Sequence, residues 1–338
     1  MRTAWVDRRG AGRVRRRVVL AVVLLATMAA AGCSRLLAVV EPVTVTDPVW
    51  ARDGWVYFLR EVSSDGAELW RQRPDEGSAE LVLDESALEP GCGRGVFSFL
   101  YRASEADVGV AAQCHGVRTE LFTFSAGRGS LESVASMPFL GDVAFADGSG
   151  TGFAEVPKNC GIAIERVVDG KASEFDRPIT VSGKTFPISG SDRECGPVAW
   201  VRSPALAGDG LLYFLAAPDS LGKLPDRRSD ALESYEWHLV VWDPKADSAR
   251  SLTGLPGLAD LAVAPDGRTV LAAVTSPEEK GGVWSVDAAT GKMSKLLDEA
   301  EAHHPSFSPD GREFVYAEGY HRLTFSSARA GSATGSAR

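Results

Sequence analysis

One unit recurs along this chain and constrains its fold more than any other feature. The unit is a short apolar run, a polar turn around Asp-Gly and a second apolar run, as in residues 47–61, 260–274 and 303–318. Pro fixes φ, Asp bonds to its own backbone and Gly accepts positive φ, so the turn is tight. The run after the turn, such as "EFVYAE", is rich in β-branched and aromatic residues. Each unit therefore predicts a β-hairpin.

The spacing of the units predicts how the hairpins are assembled. First-strand signals occur near Trp50, Phe97, Phe145, Trp200, Val263 and Phe307. A period of roughly 45 to 50 residues is typical of propellers. The second and fourth units show no Asp-Gly turn and are inferred from spacing and flanks. Third and fourth strands follow in segments such as "ELWRQRP" and "AELVLDE". We therefore predict an all-β fold, a six-bladed β-propeller of four-stranded antiparallel blades.

Two copies of the unit carry a resemblance to a known family. The segments "PSFSPDGREFVY" and "LAVAPDGRTVLA" resemble the repeat of TolB-type β-propellers, which also occurs in the propellers of prolyl oligopeptidases and in oligogalacturonate lyases. The resemblance covers most of residues 45–327, with strong motifs in the first, fifth and sixth units. It implies a six-bladed propeller.

The two ends of the propeller are predicted to meet. The last unit supplies one strand fewer than the others, and the alternating segment 37–46 supplies the outer strand that closes the ring. Closure would remove an exposed sheet edge. The propeller then spans residues 37–327, and the small-residue tail 328–338 is disordered. The alternative is an independent N-terminal strand beside an open ring.

Residues 1–32 have the pattern of an export signal. An arginine-rich start leads into an apolar run that is too short for a membrane span and ends in small residues. The sequence "AAGC" resembles the lipobox of bacterial lipoproteins, which implies that Cys33 is lipidated and that residues 33–36 form a short tether. A plain signal-peptidase site with an unmodified Cys33, or a membrane-spanning anchor, are the alternatives.

The charge of the exported part narrows the class of partner. Residues 1–32 hold seven arginines and one aspartate, so a total of -9 leaves -15 on the remainder. Such a surface disfavours nucleic acid and, without an acyl anchor, anionic lipid. We expect a monomer on the extracytoplasmic face of the bacterial cell membrane, held there only by its lipid.

The remaining cysteines are Cys92, Cys114, Cys160 and Cys195. An even number in an exported chain predicts two disulfides, and no C-x-x-C spacing indicates zinc or redox chemistry. Short loop closure favours pairing Cys92 with Cys114 and Cys160 with Cys195, and the other two connectivities stay open. Each bridge would contribute about 3 kcal/mol. All four cysteines fall at the end of the propeller opposite the Asp-Gly turns.

The longest insertion, residues 217–236, is the first candidate for contact with a partner. It separates the second and third strands of the fourth unit, and long loops in compact domains are often functional. Its candidate contact residues are Arg227, Arg228, Tyr235 and, directly after it, Trp237. The alternative is a solvated, variable loop.

Histidines give the only sign of chemistry in the channel. His303 and His304 enter the inner strand of the sixth unit, and neighbouring side chains on a strand point opposite ways, so His304 is the candidate that faces the channel. One histidine does not make a metal site. The sequence contains neither a G-x-S-x-G elbow nor a phosphate- or dinucleotide-binding fingerprint, so no metal, cofactor or catalytic residue is predicted.

These observations favour a non-catalytic envelope lipoprotein that binds a protein or peptide of the cell envelope. The alternative is an enzyme, such as a polysaccharide lyase, with its site in the channel around His304. Three or more His, Asp or Glu side chains that meet in the channel would favour the enzyme, because catalysis needs converging titratable groups.

Overall fold

The computed structural model describes residues 44–63, 66–103, 108–114, 118–137, 141–145, 151–158, 161–169, 171–175, 178–187, 200–218, 235–275 and 281–328. Over these residues the protein is an all-β, six-bladed propeller, which confirms the predicted fold class. Each blade is built on an antiparallel meander in which the first strand lies innermost. No helix in the described ranges is long and apolar enough to span a membrane.

The first three blades each contain four strands in sequence order. The first comprises β1 (Thr44–Trp50), β2 (Val56–Ser63), β3 (Gly66–Gln72) and β4 (Ala79–Leu83). The second comprises β5 (Gly95–Arg102), β6 (Val108–Cys114), β7 (Arg118–Ser125) and β8 (Ser130–Met137). The third comprises β9 (Val143–Phe145), β10 (Thr151–Lys158), β11 (Gly161–Val168) and β12 (Lys171–Glu174).

The fourth blade carries an additional hairpin on its outer edge. The hairpin is β13 (Ile179–Val181) and β14 (Lys184–Phe186). The blade proper is β15 (Trp200–Leu206), β16 (Leu212–Ala217), β17 (His238–Asp243) and β18 (Ser248–Gly254). β13 pairs with β18 in parallel, so one six-stranded sheet forms and the fourth strand is no longer an edge.

The last two blades complete the ring. The fifth comprises β19 (Ala259–Val263), β20 (Thr269–Val274), β21 (Gly282–Asp287) and β22 (Met293–Leu297). The sixth shows three strands among the described residues: β23 (Ala302–Phe307), β24 (Glu313–Glu318) and β25 (Arg322–Ser327).

Asp-Gly turns join the first and second strands at one end of the ring, here called the turn end. In each of four turns an aspartate carboxylate accepts a hydrogen bond from the backbone N–H two residues later; these aspartates are Asp53, Asp209, Asp266 and Asp310. The glycine that follows Asp209 has a φ of 90°. The fourth unit therefore does have an Asp-Gly turn, and the sequence analysis was wrong there because β15 extends further than "GPVAWV" indicated.

The core lies between neighbouring blades. Tyr57 and Leu69 of the first blade pack against Phe97 of the second. Trp242 of the fourth blade meets Phe153 of the third edge-on, with ring centroids 5.7 Å apart. Burial of each large apolar side chain stabilises the ring by about 2 kcal/mol, so the blades are held by their faces.

Contacts between the first and sixth blades close the ring. Trp50 stacks edge-on against Phe325 at 5.6 Å, and its backbone N–H donates to the Ser306 hydroxyl at 3.0 Å. Val45 N donates to the Tyr320 carbonyl at 2.7 Å. The described part of the predicted closing segment, residues 44–46, belongs to β1 and pairs with β2. Residues 1–43 and 329–338, with the predicted signal, Cys33 and most of the tail, lie outside the described residues.

Candidate binding site in the propeller channel

The inner strands of three blades share a strained bulge. Asp47, Ser203 and His304 have φ values of 52°, 51° and 49°, and each directly precedes a proline. The pairing register shifts at each position. A bulge tolerates proline because no ladder hydrogen bond is lost there, whereas positive φ strains a residue that has a Cβ. All three residues line the channel cavity, so the bulges direct side chains into it.

An ion pair and a hydrogen bond join three channel residues, His304, Asp47 and Asp260, into one group. His304 Nδ1 lies 3.1 Å from Asp47 Oδ1, and the backbone N of His304 donates to Asp260 Oδ2 at 3.0 Å. The group joins the first, fifth and sixth blades through one side-chain pair, His304 with Asp47, and one backbone contact, His304 with Asp260. Among the residues that the structure describes, no set of three or more His, Cys, Asp or Glu is arranged to hold a metal ion.

A buried ion pair joins the third and fourth blades beside this group. Arg202 Nε donates to Glu155 Oε1 at 3.1 Å, and Ser203 N donates to Glu155 Oε2 at 3.1 Å. The Ser203 hydroxyl donates to the Ala259 carbonyl of the fifth blade at 3.0 Å. Both carboxylate oxygens of Glu155 are therefore occupied, and Glu155 serves to fix the bulge at Ser203.

Asp142 lies at the start of the third blade's inner strand and lines the cavity. Its carboxylate interacts electrostatically with His304, Arg202, Asp260 and Asp47. Within the described part of the chain no hydrogen bond to this carboxylate is present, in contrast to Asp47, Asp260 and Glu155. Asp142 is thus the carboxylate lining the cavity to which no described residue donates a hydrogen bond.

The close packing of these charges shifts their pKa values. Burial alone would lower the pKa of His304, but the carboxylates of Asp47, Asp260 and Asp142 raise it to about 9. Burial raises the pKa of Asp47 and that of Asp142 above the usual range of an aspartate. Burial opposes ionisation of Asp260 too, but His304 and its backbone N–H hold the pKa of Asp260 below its usual range. At neutral pH His304 is therefore an imidazolium among carboxylates.

The cavity occupies the channel from this charged group to the turn end. Its volume is about 240 Å³, and every blade contributes to its wall. Its inner level holds Asp47, Asp142, Asp260 and His304, and its turn-end wall includes Arg52 and Pro265. Arg102 lies toward the turn end, where its guanidinium donates to the carbonyls of Trp50 and Phe307, both at 3.0 Å.

The structure places the predicted partner-binding residues in different regions. His304 lines the channel cavity. Trp237 is fully buried in the core between the fourth and fifth blades, so its side chain presents no surface to a partner. Tyr235 is half-buried and stacks edge-on against Trp200 at 5.4 Å. Arg227 and Arg228 lie outside the described residues.

One of the two predicted disulfides falls within the described chain. Cys92 and Cys114 are joined, with Cα atoms 5.1 Å apart, and the bridge ties a helical turn (Glu89–Cys92) to the end of β6. Gly95 passes so close that a Cβ there would lie 2.4 Å from Cys92 Sγ. Cys160 and Cys195 lie outside the described residues.

Sequence reasoning missed most of the channel residues. Most charged residues of the channel resemble ordinary strand residues in the sequence, and they meet only when the ring closes. These residues are Asp47, Asp142, Glu155, Arg202 and Asp260. One local signal was present, since a polar residue precedes a proline inside three inner strands. Because proline is rare within strands, that pair marks a bulge.

Comparisons with known proteins show the fold and leave the chemistry open. No protein-family model matches the sequence, and no curated protein matches it. TolB from Acinetobacter baumannii is similar, with a TM-score of 0.53 and 16% identity over 82% of this chain, which spans 61% of that protein. An oligogalacturonate lyase in complex with manganese has a TM-score of 0.51 and 13% sequence identity, and the match covers 86% of this chain and 91% of the lyase. A gluconolactonase from Xanthomonas campestris has a TM-score of 0.51 and 12% sequence identity, and the match covers 85% of this chain and 86% of the gluconolactonase.

Proposed function

We propose that this protein is a binding propeller of the bacterial envelope that admits part of a protein or peptide ligand into its channel from the turn end. The observation that carries the proposal is the cavity of about 240 Å³, whose inner level consists of polar side chains from several blades. A cavity with a few placed polar groups is the usual form of a binding site. TolB, a propeller of similar fold, is the neighbour that supports a platform role.

The hydrogen bonds of the channel hold its polar groups in place for binding. Glu155 is occupied by Arg202 and by a backbone N–H, and Asp260 accepts from the backbone of His304. Groups held this firmly preorganise a site, and preorganisation favours affinity because less freedom is lost on binding.

The proposal places the propeller on the outer face of the cell membrane through a lipid on Cys33. The lipobox-like "AAGC" supports this anchor. The expected result is that the protein fractionates with membranes and that Cys33→Ala releases the exported form. A Cys33→Ala variant that still fractionates with membranes would contradict lipid anchoring.

Photo-crosslinking tests the binding face. A photoreactive residue in place of Pro265, which is exposed and lines the cavity, should capture the ligand in cells. The matched control carries the same residue at Lys292, an exposed position in the outer turn of the same blade. Capture at both positions alike, or at neither, would contradict a ligand in the channel. A further sample without residues 219–234 tests whether the long insertion contributes to binding.

A second candidate function is catalysis in the same cavity. The observation that favours it is the His304–Asp47 pair at 3.1 Å, since an imidazolium held by a carboxylate can donate a proton to a substrate. The lyase and gluconolactonase neighbours make uronate oligosaccharides and sugar lactones the first substrates to assay. Turnover by the protein that His304→Gln abolishes would favour this function over binding alone.

A further inference from the structure

The cavity has a carboxylate-rich inner level and a turn-end level that is lined by arginines. The inner level carries the carboxylates of Asp47, Asp142 and Asp260 around a single imidazolium, that of His304. The nearby Arg202 is paired with Glu155. Three carboxylates therefore face one cation at this level, which leaves an excess of negative charge in a partly desolvated place.

The turn-end level of the cavity contains two arginines. Arg52 and Arg102 line the cavity there, and Arg102 is held by the carbonyls at the ends of β1 and β23. Asp47 precedes Trp50 by three residues on β1, so the two levels are roughly 10 Å apart at the usual rise of a strand. A ligand that fits both levels has a positive end inside and acceptor groups behind it.

The charge and the free acceptor of Asp142 narrow the ligand further. We propose that the inner level binds the primary ammonium group at the end of a slender ligand, with Asp142 as its principal acceptor. The inference rests on the proposed binding function and deepens it by naming the ligand chemistry. An ammonium has three donors and no acceptor, which matches a carboxylate-rich wall.

The same geometry argues for an amine more than for other cations. Asp47 is ion-paired with His304, and Asp260 accepts a hydrogen bond from the backbone of His304, so a metal ion would have to compete with that residue for both carboxylates. The volume of about 240 Å³ admits a chain end and excludes a folded domain. A peptide amino terminus and a free alkylamine supply the same group, and in the peptide the carbonyls behind it would face Arg102.

Paired probes distinguish these sources. Binding of triglycine amide, its N-acetylated form and 1,5-diaminopentane is measured by ligand-observed NMR on the full mature chain in detergent. Ligands this small are expected to bind with Kd of about 1 mM. Triglycine amide should bind at least about tenfold more tightly than the acetylated form, a difference of about 1.4 kcal/mol. Stronger binding of the diamine would identify a free amine as the source.

Two variants locate the site. Asp142→Asn preserves the shape of the side chain and should weaken the binding of triglycine amide at least about tenfold. Asp75→Asn, the same change at an exposed turn, should leave binding unchanged. Thermal unfolding verifies that both variants are folded. Equal binding of the free and acetylated probes, binding of neither probe, or full binding by Asp142→Asn would overturn the ammonium site.

The crosslinking experiment separates this inference from the proposed function. If the residue at position 265 still captures a ligand in the Asp142→Asn background, the channel binds a ligand and the ammonium assignment fails. If capture is lost in that background and the probes behave as expected, both stand. If neither capture nor probe binding occurs in the wild type, the proposed function fails as well.

Discussion

At the scale of single residues, the channel is organised by charges that stabilise one another. His304 is held between carboxylates of two other blades, and Glu155 is held by Arg202 and a bulged backbone N–H. Each charge is tolerated inside the ring because its partner comes from a neighbouring blade. The fold thus depends on these pairs as much as the site does.

The stability of the protein should fall as the pH rises past neutrality. The pKa of His304 is about 9 in the folded state, above its unfolded value of 6.5, so its contribution is fully present below pH 6.5 and is lost as the pH rises through 9. A shift of this size corresponds to roughly 2 to 3 kcal/mol, taking some solvent screening into account. Urea denaturation between pH 6 and pH 10 measures it.

The control for the pH prediction is an exposed histidine. In the His321→Gln variant the free energy of unfolding should still decrease between pH 6.5 and 9. In the His304→Gln variant that decrease should be largely absent. A His304→Gln protein with an unchanged pH profile would mean that another group is responsible.

Breaking the Glu155–Arg202 pair should be more damaging than replacing both partners. Arg202→Met leaves Glu155 buried without its cation, so we expect the free energy of unfolding to fall by about 3 kcal/mol. The double variant Glu155→Gln/Arg202→Met should lose less, because no unpaired charge remains. A double-mutant cycle by denaturant unfolding measures the coupling, and strict additivity would refute it.

At the scale of elements, close approaches between side chains and glycines fix the strands. Gly109 on β6 pairs with Tyr101 on β5, and the tyrosine ring lies over the glycine while its hydroxyl donates to the Phe122 carbonyl. A Cβ on Gly109 would lie 2.1 Å from the ring. Tyr101 is therefore positioned by the absence of a side chain opposite it.

Gly109→Ala should destabilise the second blade. The added methyl group must displace a buried ring, and overpacking of this kind lowers the free energy of unfolding by about 1 to 3 kcal/mol. Gly127→Ala is the matched control, since nothing lies within 4 Å of a Cβ at that turn position. Equal stability of the two variants in thermal unfolding would contradict the packing argument.

The Cys92–Cys114 bridge should stabilise the same blade. The two cysteines are 22 residues apart, so their disulfide should contribute about 3 kcal/mol by the loop-closure estimate. The variant Cys92→Ser/Cys114→Ser should lose that amount under oxidising conditions. Non-reducing peptide mapping provides the direct measurement, and a Cys114–Cys160 peptide would overturn the pairing.

Sequence reasoning was effective for elements and weak for the site, for a physical reason. The "PDG" turns and the runs after them are specified by neighbouring residues, so the hairpins were predictable. The channel group joins Asp47, Asp142, Asp260 and His304, which are separated by most of the chain. Only the proline that follows Asp47 and His304 marks any of them locally, and nothing local marks Asp142 and Asp260. The prediction that Trp237 contacts a partner was wrong, because Trp237 directly precedes β17 and its side chain is buried in the core.

At the scale of the whole molecule, the ring depends on the contact between its first and last blades. β25 is the outermost described strand of the sixth blade, and Val45 at the start of β1 bonds to the turn that precedes β25. Residues 37–46 were predicted to supply the strand that closes the ring, but residues 44–46 belong to β1. Closure by residues 37–43 alone, on the outer edge of β25, is a proposal.

Hydrogen exchange tests that closure. If residues 37–43 pair with β25, the amides of β25 that point away from β24 should exchange slowly in the mature chain. Deleting residues 37–43 should make those amides exchange quickly. The amides of β25 that donate hydrogen bonds to carbonyls of β24 should change less. Equal exchange of the outward amides in both proteins would show that the edge is open.

The Asp-Gly turns have a further consequence for how this protein can change over time. Because each turn aspartate bonds to its own backbone, each turn keeps its shape without help from the next blade. A substitution beside one turn therefore leaves the other turns intact. Natural variation can alter the rim of the cavity one blade at a time, so homologues with the same ring are expected to diverge in ligand preference before they diverge in architecture.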